Sequence, residues 1–159
     1  MWRSLAPLRF KLTVWFAVQQ RLNTKERLAR FQIIESSENS CPFCGMEEES
    51  ANHLFLLCSV SRNLWYNICH WIGYSWVMPN TVEDIACAWL GTFGKGLKGD
   101  IWWAAFFATI GTIWKFRNRR VFKNIEVCRG WMFMLIQLRI GFWVKNGRND
   151  FPYRSDEVI

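Results

Sequence analysis

The chain has 159 residues, 51% of them apolar and 21% charged, a balance that excludes an intrinsically disordered chain and a length that fits one domain of ordinary size or one and a half small ones. Its net charge is +7, from 20 Lys and Arg against 13 Asp and Glu, which favours anionic partners such as nucleic acid; the plainer alternative is a soluble domain that is merely basic. Eleven Trp and thirteen Phe offer more aromatic area than a surface needs, so the chain can build a core.

In chain order, the apolar spacing of Leu8, Leu12, Trp15 and Phe16 predicts a helix from Leu8 to Gln20. Thr24 then offers an N-cap, with Glu26 in the first turn, to a short helix over Lys25–Phe31 that turns Leu28 and Phe31 inward. Ser36 to Ser50 is polar and turn-rich and carries Cys41 and Cys44, and Ser50 can cap the helix that bears His53. A further helix is expected over Ser59–Trp71, with Val60, Leu64, Ile68 and Trp71 on one side. Pro79 and Asn80 break the chain, and Thr81 to Trp89 restarts it. Gly91 to Gly99 holds four glycines and is the best linker candidate.

Asp100 can cap a long helix from Ile101 to about Phe122, and a last helix runs from about Cys128 to Lys145 with the apolar residues Trp131, Met134, Leu135, Leu138 and Phe142 at helical spacing. The run Ile101–Trp114 is the one membrane candidate. At 1.5 Å per residue it reaches about 21 Å, short of a hydrocarbon core of roughly 30 Å, so a buried helix is expected and no membrane partner. The fold class is all-α: a small helical domain with a metal-stapled loop at 1–78, a short helix and Gly-rich linker at 79–99, a long-helix hairpin at 100–147, and a tail at 148–159.

Six cysteines could form a disulfide framework, but the first apolar stretch, Leu12–Val18, lacks the layout of a secretory signal and no Asn-x-Ser/Thr sequon occurs. A reducing compartment, nuclear or cytoplasmic, is expected, where paired cysteines usually mean metal. Arg3, Arg9, Lys11 and Arg21 before the first acid, Glu26, would also suit an organelle transit peptide, the less expected reading. Cys41-Pro-Phe-Cys44, then His53 and Cys58, is a set of three thiols and one imidazole at finger-like spacing, the set a structural Zn2+ takes. Gly45 allows the positive φ that a tight Cys-x-x-Cys turn often needs. Five residues of α-helix separate His53 from Cys58 by roughly 140° around the axis, so the helix must tighten or end between them, with Cys58 at or just past its terminus. A redox pair would require a βαβ context that the pattern lacks. Cys69-His70 is the rival ligand source, while Cys87 and Cys128 read as ordinary buried thiols. Four good ligands close the coordination sphere, so the zinc is expected to be structural.

These residues resemble a known family. The run Trp15–Leu28 with its Arg21-Leu22-Asn23-Thr24 turn, then Cys41-Pro42-x-Cys44, then Glu49-Ser50-x-x-His53-Leu54-Phe55-x-x-Cys58 and Leu64-Trp65, is similar to the zinc-binding domain of plant LINE-type (non-LTR) retroelement reverse transcriptases. The resemblance spans about Leu5 to Ile72, and Ile113-Trp114-Lys115-x-Arg117-Asn118-x-x-Val121-Phe122 is similar to a segment often found downstream in the same elements. It implies an accessory part of a reverse transcriptase, with a reverse transcriptase or other retroelement proteins as partners. Neither the Tyr-x-Asp-Asp carboxylates of a polymerase nor the spaced acids of a ribonuclease H are seen, so no enzyme is expected and no catalytic residue is assigned.

Two basic groups are candidates for nucleic-acid contact: Arg21, Lys25, Arg27 and Arg30 beside the zinc loop, and Lys115, Arg117, Arg119, Arg120 and Lys123 with Trp114, Phe116 and Phe122 interleaved. Cations near a helix C-terminus also complement its dipole, which is the competing reading of the second group. The functional expectation is a zinc-ordered module that binds RNA or DNA. The alternatives are a protein-interaction module docking through exposed aromatics, or a retroelement fragment with no selected activity.

Overall fold

The computed structural model describes residues 4–75, 77–92 and 96–148, and among them the architecture is all-α. Six α-helices follow in order: α1 Leu8–Val18, α2 Lys25–Arg30, α3 Ser59–Trp71, α4 Val82–Thr92, α5 Leu97–Lys123 and α6 Arg129–Gly147. A 3-10 turn at Ser36–Glu38 and a π-helical turn at His53–Leu57 lie between α2 and α3. The only β pairing among the described residues is a single antiparallel bridge between Ser40 and Glu48.

Helix starts and stops follow local chemistry. The Thr81 hydroxyl accepts from the Asp84 N–H at 3.0 Å and donates to the Asp84 carboxylate at 2.6 Å, which caps α4. Asn124 takes a left-handed φ of 50° after α5, and its N–H returns to the Arg120 carbonyl, the usual role of Asn just past a helix end. The glycine-rich linker is shorter than expected. Helix α4 continues to Thr92 and α5 already begins at Leu97, so Gly99 is buried inside a helix and Asp100 lies in its first turn rather than capping it. Residues 93–95 of that linker and the tail beyond Arg148 lie outside the described residues.

One core runs through the whole fold. Phe55 of the π-helical turn, Trp65 of α3, Trp89 of α4 and Trp102, Phe106 and Phe107 of α5 are all buried within it. Trp89 and Trp102 stack at 3.8 Å, and each indole N–H donates to the other residue's carbonyl, at 2.9 and 3.2 Å. The indole N–H of Trp65 finds the Phe55 carbonyl at 2.8 Å, so these large rings are buried without stranding a donor. The residues of this core come from both sides of 79–99. No helix among the described residues is long and apolar enough to cross a membrane.

Two helices bury a different face from the one their spacing suggested. In α1 the inward residues are Phe10, Val14 and Ala17, while Leu8, Leu12 and Phe16 are exposed. In α6 they are Met132, Ile136, Ile140, Trp143 and Val144; Trp131, Met134, Leu138 and Phe142 face out. Phe31 and Trp71 are exposed as well, the latter edge-on to Phe133. Cys87, on the outer side of α4, and Cys128, the N-cap of α6, are exposed rather than buried.

Candidate metal centre

The zinc loop is held in shape by its backbone before any metal is considered. The Cys41 N–H donates to the Glu47 carbonyl at 2.7 Å, and the Glu49 N–H donates to the Asn39 carbonyl at 2.8 Å, closing a small knuckle. Gly45, at φ 69°, turns the chain back, and its N–H reaches the Cys41 carbonyl at 2.8 Å. A Cβ there would meet nothing within 4 Å, so the glycine serves the backbone angle and not a close contact. Ser50 caps the returning helix as expected, its hydroxyl accepting from the His53 N–H at 3.0 Å.

The angular problem between His53 and Cys58 is solved by widening. The Cys58 N–H bonds the His53 carbonyl at 2.7 Å, an i→i+5 bond, and His53–Leu57 is a π-helical turn instead of a tightened or broken α-helix. The wider turn carries the fifth residue round towards the first. Cys58 then leaves the turn with extended dihedrals, φ −56° and ψ 134°, and serves as the N-cap residue of α3. Its place just past a helix terminus is the expected one.

Cys41, Cys44, His53 and Cys58 converge so that their ligand atoms all lie within 4.8 Å of one another. The Cys41 and Cys58 sulfurs are 3.9 Å apart, and Cys44 Sγ is 3.3 Å from His53 Nε2. Bond lengths of about 2.3 Å to sulfur and 2.0–2.1 Å to nitrogen give tetrahedral edges of roughly 3.8 Å and 3.5 Å, so both contacts sit close to a zinc polyhedron. Cys41 and Cys58 are buried, Cys44 is half-buried and His53 is 9% exposed, so the site has little access to water.

Local electrostatics favour the ligand form at Cys58 and His53 and oppose it at Cys41. Cys58 shares a proton with Cys41, which donates, and that bond holds the Cys58 thiol below its ordinary value and Cys41 above. Backbone N–H groups of Phe43 and Cys44 face the Cys41 sulfur, and those of Val60 and Ser61, in the first turn of α3, face Cys58. Donors of this kind, and a helix N-terminus, stabilise thiolate. Burial pushes the His53 imidazole below its usual range, against the opposing pull of Glu47 and Glu49, and so keeps it neutral, the form that binds metal. Cys69 and His70 stand outside the cluster: Cys69 is buried in α3, its thiol raised to about 11 by burial, and exposed His70 stacks on Tyr66.

Glu49, a position of the resemblance to which the sequence assigned no role, is a central contact of the site. It is fully buried, accepts the Lys25 N–H at 2.8 Å, and receives Arg117 Nε and Nη2 at 2.6 and 2.7 Å. The carboxylate thus ties the knuckle to the first turn of α2 and to α5. Lys25 N–H bonds to Glu49, whereas the Thr24 hydroxyl makes no capping bond. The expected role of Arg117 is corrected by the same contact. It is 2% exposed and two nitrogens of its guanidinium are spent on Glu49, so its charge is committed inside the fold.

The other basic candidates lie outside the core. Arg21, Arg30, Lys115 and Lys123 are exposed, while Lys25, Arg27, Arg119 and Arg120 are half-buried. Arg27 donates to the Gln20 carbonyl at 3.2 Å and lies over Phe31; Arg119 lies over Phe116, and Arg120 donates to Asn124. The fold brings Lys25 of the first group beside the second. Lys25 of α2 and Trp114, Asn118 and Phe122 of α5 line one groove, and the same three α5 residues line the next with Lys115, Arg119 and Lys123.

No curated protein and no solved structure matches the chain. A family model described as zinc-binding in reverse transcriptase matches residues 1–65, and all four ligands fall inside that match. The first 65 residues are thus similar to a zinc-binding region of reverse transcriptases, and the ion that their cluster of three thiols and one imidazole fits is zinc.

Proposed function

We propose that the chain is an accessory module of LINE-type retroelement origin, of the plant kind, in which a structural zinc orders a loop and the basic face beside it holds single-stranded nucleic acid. It works by binding, not by catalysis. The observation that carries this reading is the adjacency of the two grooves: Lys25 of α2 and the cations of α5, far apart in sequence, share the walls formed by Trp114, Asn118 and Phe122. Phe122 is 76% exposed, so an apolar ring stands among cations where a base could stack while phosphates are neutralised. The zinc contributes by fixing the knuckle, and through Glu49 the knuckle positions α2 against α5.

The test is the salt dependence of affinity for a short single-stranded RNA, measured by fluorescence anisotropy on the zinc-loaded chain. Each phosphate contact contributes a slope of about −0.7 in log K against log salt, so a steep negative slope is expected. Affinity indifferent to ionic strength overturns the reading.

One observation favours a second reading, docking onto a reverse transcriptase or another protein. Trp131, Met134, Leu138 and Phe142 form an outward apolar stripe along α6, with Leu8 of α1 also exposed.

A further inference from the structure

Three elements converge on a cavity of about 410 Å3 beside α5. Arg9 of α1, Arg139 of α6 and Lys115, Arg119 and Lys123 of α5 supply its cationic lining, and Trp114 and Phe122 supply two aromatic walls. Among the described residues the ion pairs are Glu49–Arg117 and Asp100–Arg148, so no described carboxylate neutralises any of these five cations. That is unusual for Arg139. It is half-buried, with its guanidinium hydrogen-bonded to the Thr112 hydroxyl and lying 5.0 Å from the centre of the Phe10 ring. A cation drawn partly out of water gains from a counter-charge. The cations also disfavour one another: burial and the charges of Arg139, Arg119 and Arg9 push the Lys115 ammonium down, and burial and Arg9 do the same to Arg139. An anion would relieve that repulsion, and the volume suits a small ligand.

We propose that this cavity is a phosphate-ester site, with Arg139 and Arg9 gripping the phosphate, Lys115 and Arg119 closing over it, and Trp114 and Phe122 flanking the attached nucleoside. Both gripping residues, Arg9 and Arg139, belong to neither basic run of the sequence. Guanidinium forks match phosphate oxygens in pairs, which a point charge does not. In assigning the phosphate to a nucleic-acid strand the proposal rests on the function proposed above; the same chemistry could also come from a free nucleotide.

Calorimetric titrations of the zinc-loaded chain separate these cases. The probes are a single-stranded oligoribonucleotide without a terminal phosphate, and uridine monophosphate. The variants are Arg139→Met and, because Arg139 is half-buried and its loss could disturb folding, the exposed Arg9→Gln; circular dichroism and zinc content check that each is folded. Strand binding is expected to weaken about ten-fold or more in each folded variant, with a salt slope shallower by about 0.7 for every phosphate no longer held. Weak nucleotide binding that disappears in both variants also supports the site. If the wild-type chain ignores the strand but binds the nucleotide, and the variants do not, the site stands and the nucleic-acid module fails. If strand and nucleotide bind both folded variants as they bind the wild type, the site is refuted, whatever the salt slope.

Discussion

At the scale of single residues, the fate of two charges decides how the zinc loop meets the rest of the chain. Glu49 and Arg117 form a two-pronged pair with almost no exposure, 0% and 2%. Charge and spacing do not separate Arg117 from Arg119 and Arg120 beside it, and the family resemblance marks its position without a role; its partner lies 68 residues away, and the packing of α5 on the knuckle shows what it does. A buried pair of this kind contributes little net stability relative to apolar replacements, but breaking it strands a charge. Glu49→Gln and Arg117→Met are each expected to cost about 3–5 kcal/mol in urea unfolding. Glu49→Leu combined with Arg117→Met should cost clearly less than the sum of its single changes, because no lone charge is left inside. Additive losses would show that the two residues do not act as a pair. The four zinc ligands, by contrast, were fully legible, since ligand chemistry restricts both residue type and spacing.

At the scale of elements, helix positions were readable and helix faces were not. The observed ends of α3, α5 and α6 fall within a few residues of those expected, because Asn and Thr punctuation and apolar runs are local signals. In α6, however, Met132, Ile136, Ile140 and Trp143 recur at helical spacing, and so do Trp131, Met134, Leu138 and Phe142. Periodicity cannot choose between two apolar stripes; the partner helices do. The π-helical turn was equally hidden, since a five-residue separation specifies that the helix must deviate but not in which sense. What fixes the faces is close approach, and Gly111 of α5 is where it is tightest. A Cβ there would stand 2.1 Å from a ring carbon of Phe10, which is itself packed edge-on to Trp143 at 4.7 Å. Gly111→Ala should therefore destabilise by about 1–3 kcal/mol despite the better helix propensity of Ala. Gly141→Ala in α6, where an added Cβ meets nothing within 4 Å, should instead stabilise by up to about 1 kcal/mol. Thermal unfolding of the two variants checks the opposite signs, and a stable Gly111→Ala would mean that α1 does not cross α5 at that glycine.

At the scale of the whole molecule, one core joins the zinc segment to the long hairpin, yet the two are not equally dependent on metal. Leu54, Phe55 and Leu56 enter the common core, but the knuckle from Asn39 to Glu49 is held by a handful of backbone bonds, Glu49 and the four ligands. Helix α2 buries no residue of its own and is anchored through Lys25 and Glu26 to Glu49. The long helix α5, in contrast, buries a continuous stretch from Ala104 to Ile113 in the common core. Zinc removal should accordingly loosen the molecule from one side. Purified chain is expected to hold close to one zinc, lost in Cys41→Ser and His53→Ala and retained in Cys87→Ser, whose thiol is exposed on α4 and outside the cluster. After chelation, hydrogen exchange should speed up by orders of magnitude in α2, the knuckle and the π-helical turn, while Ala104–Ile113 keeps most of its protection. Acid should act in the same direction as the chelator. Binding zinc displaces the proton shared by Cys41 and Cys58 and requires a neutral imidazole, so affinity falls as pH falls, and mild acid should release the metal before the α5–α6 hairpin unfolds. Simultaneous loss of protection throughout the chain on chelation would instead mean that the ion supports the entire core, and that the hairpin has no stability apart from the metal.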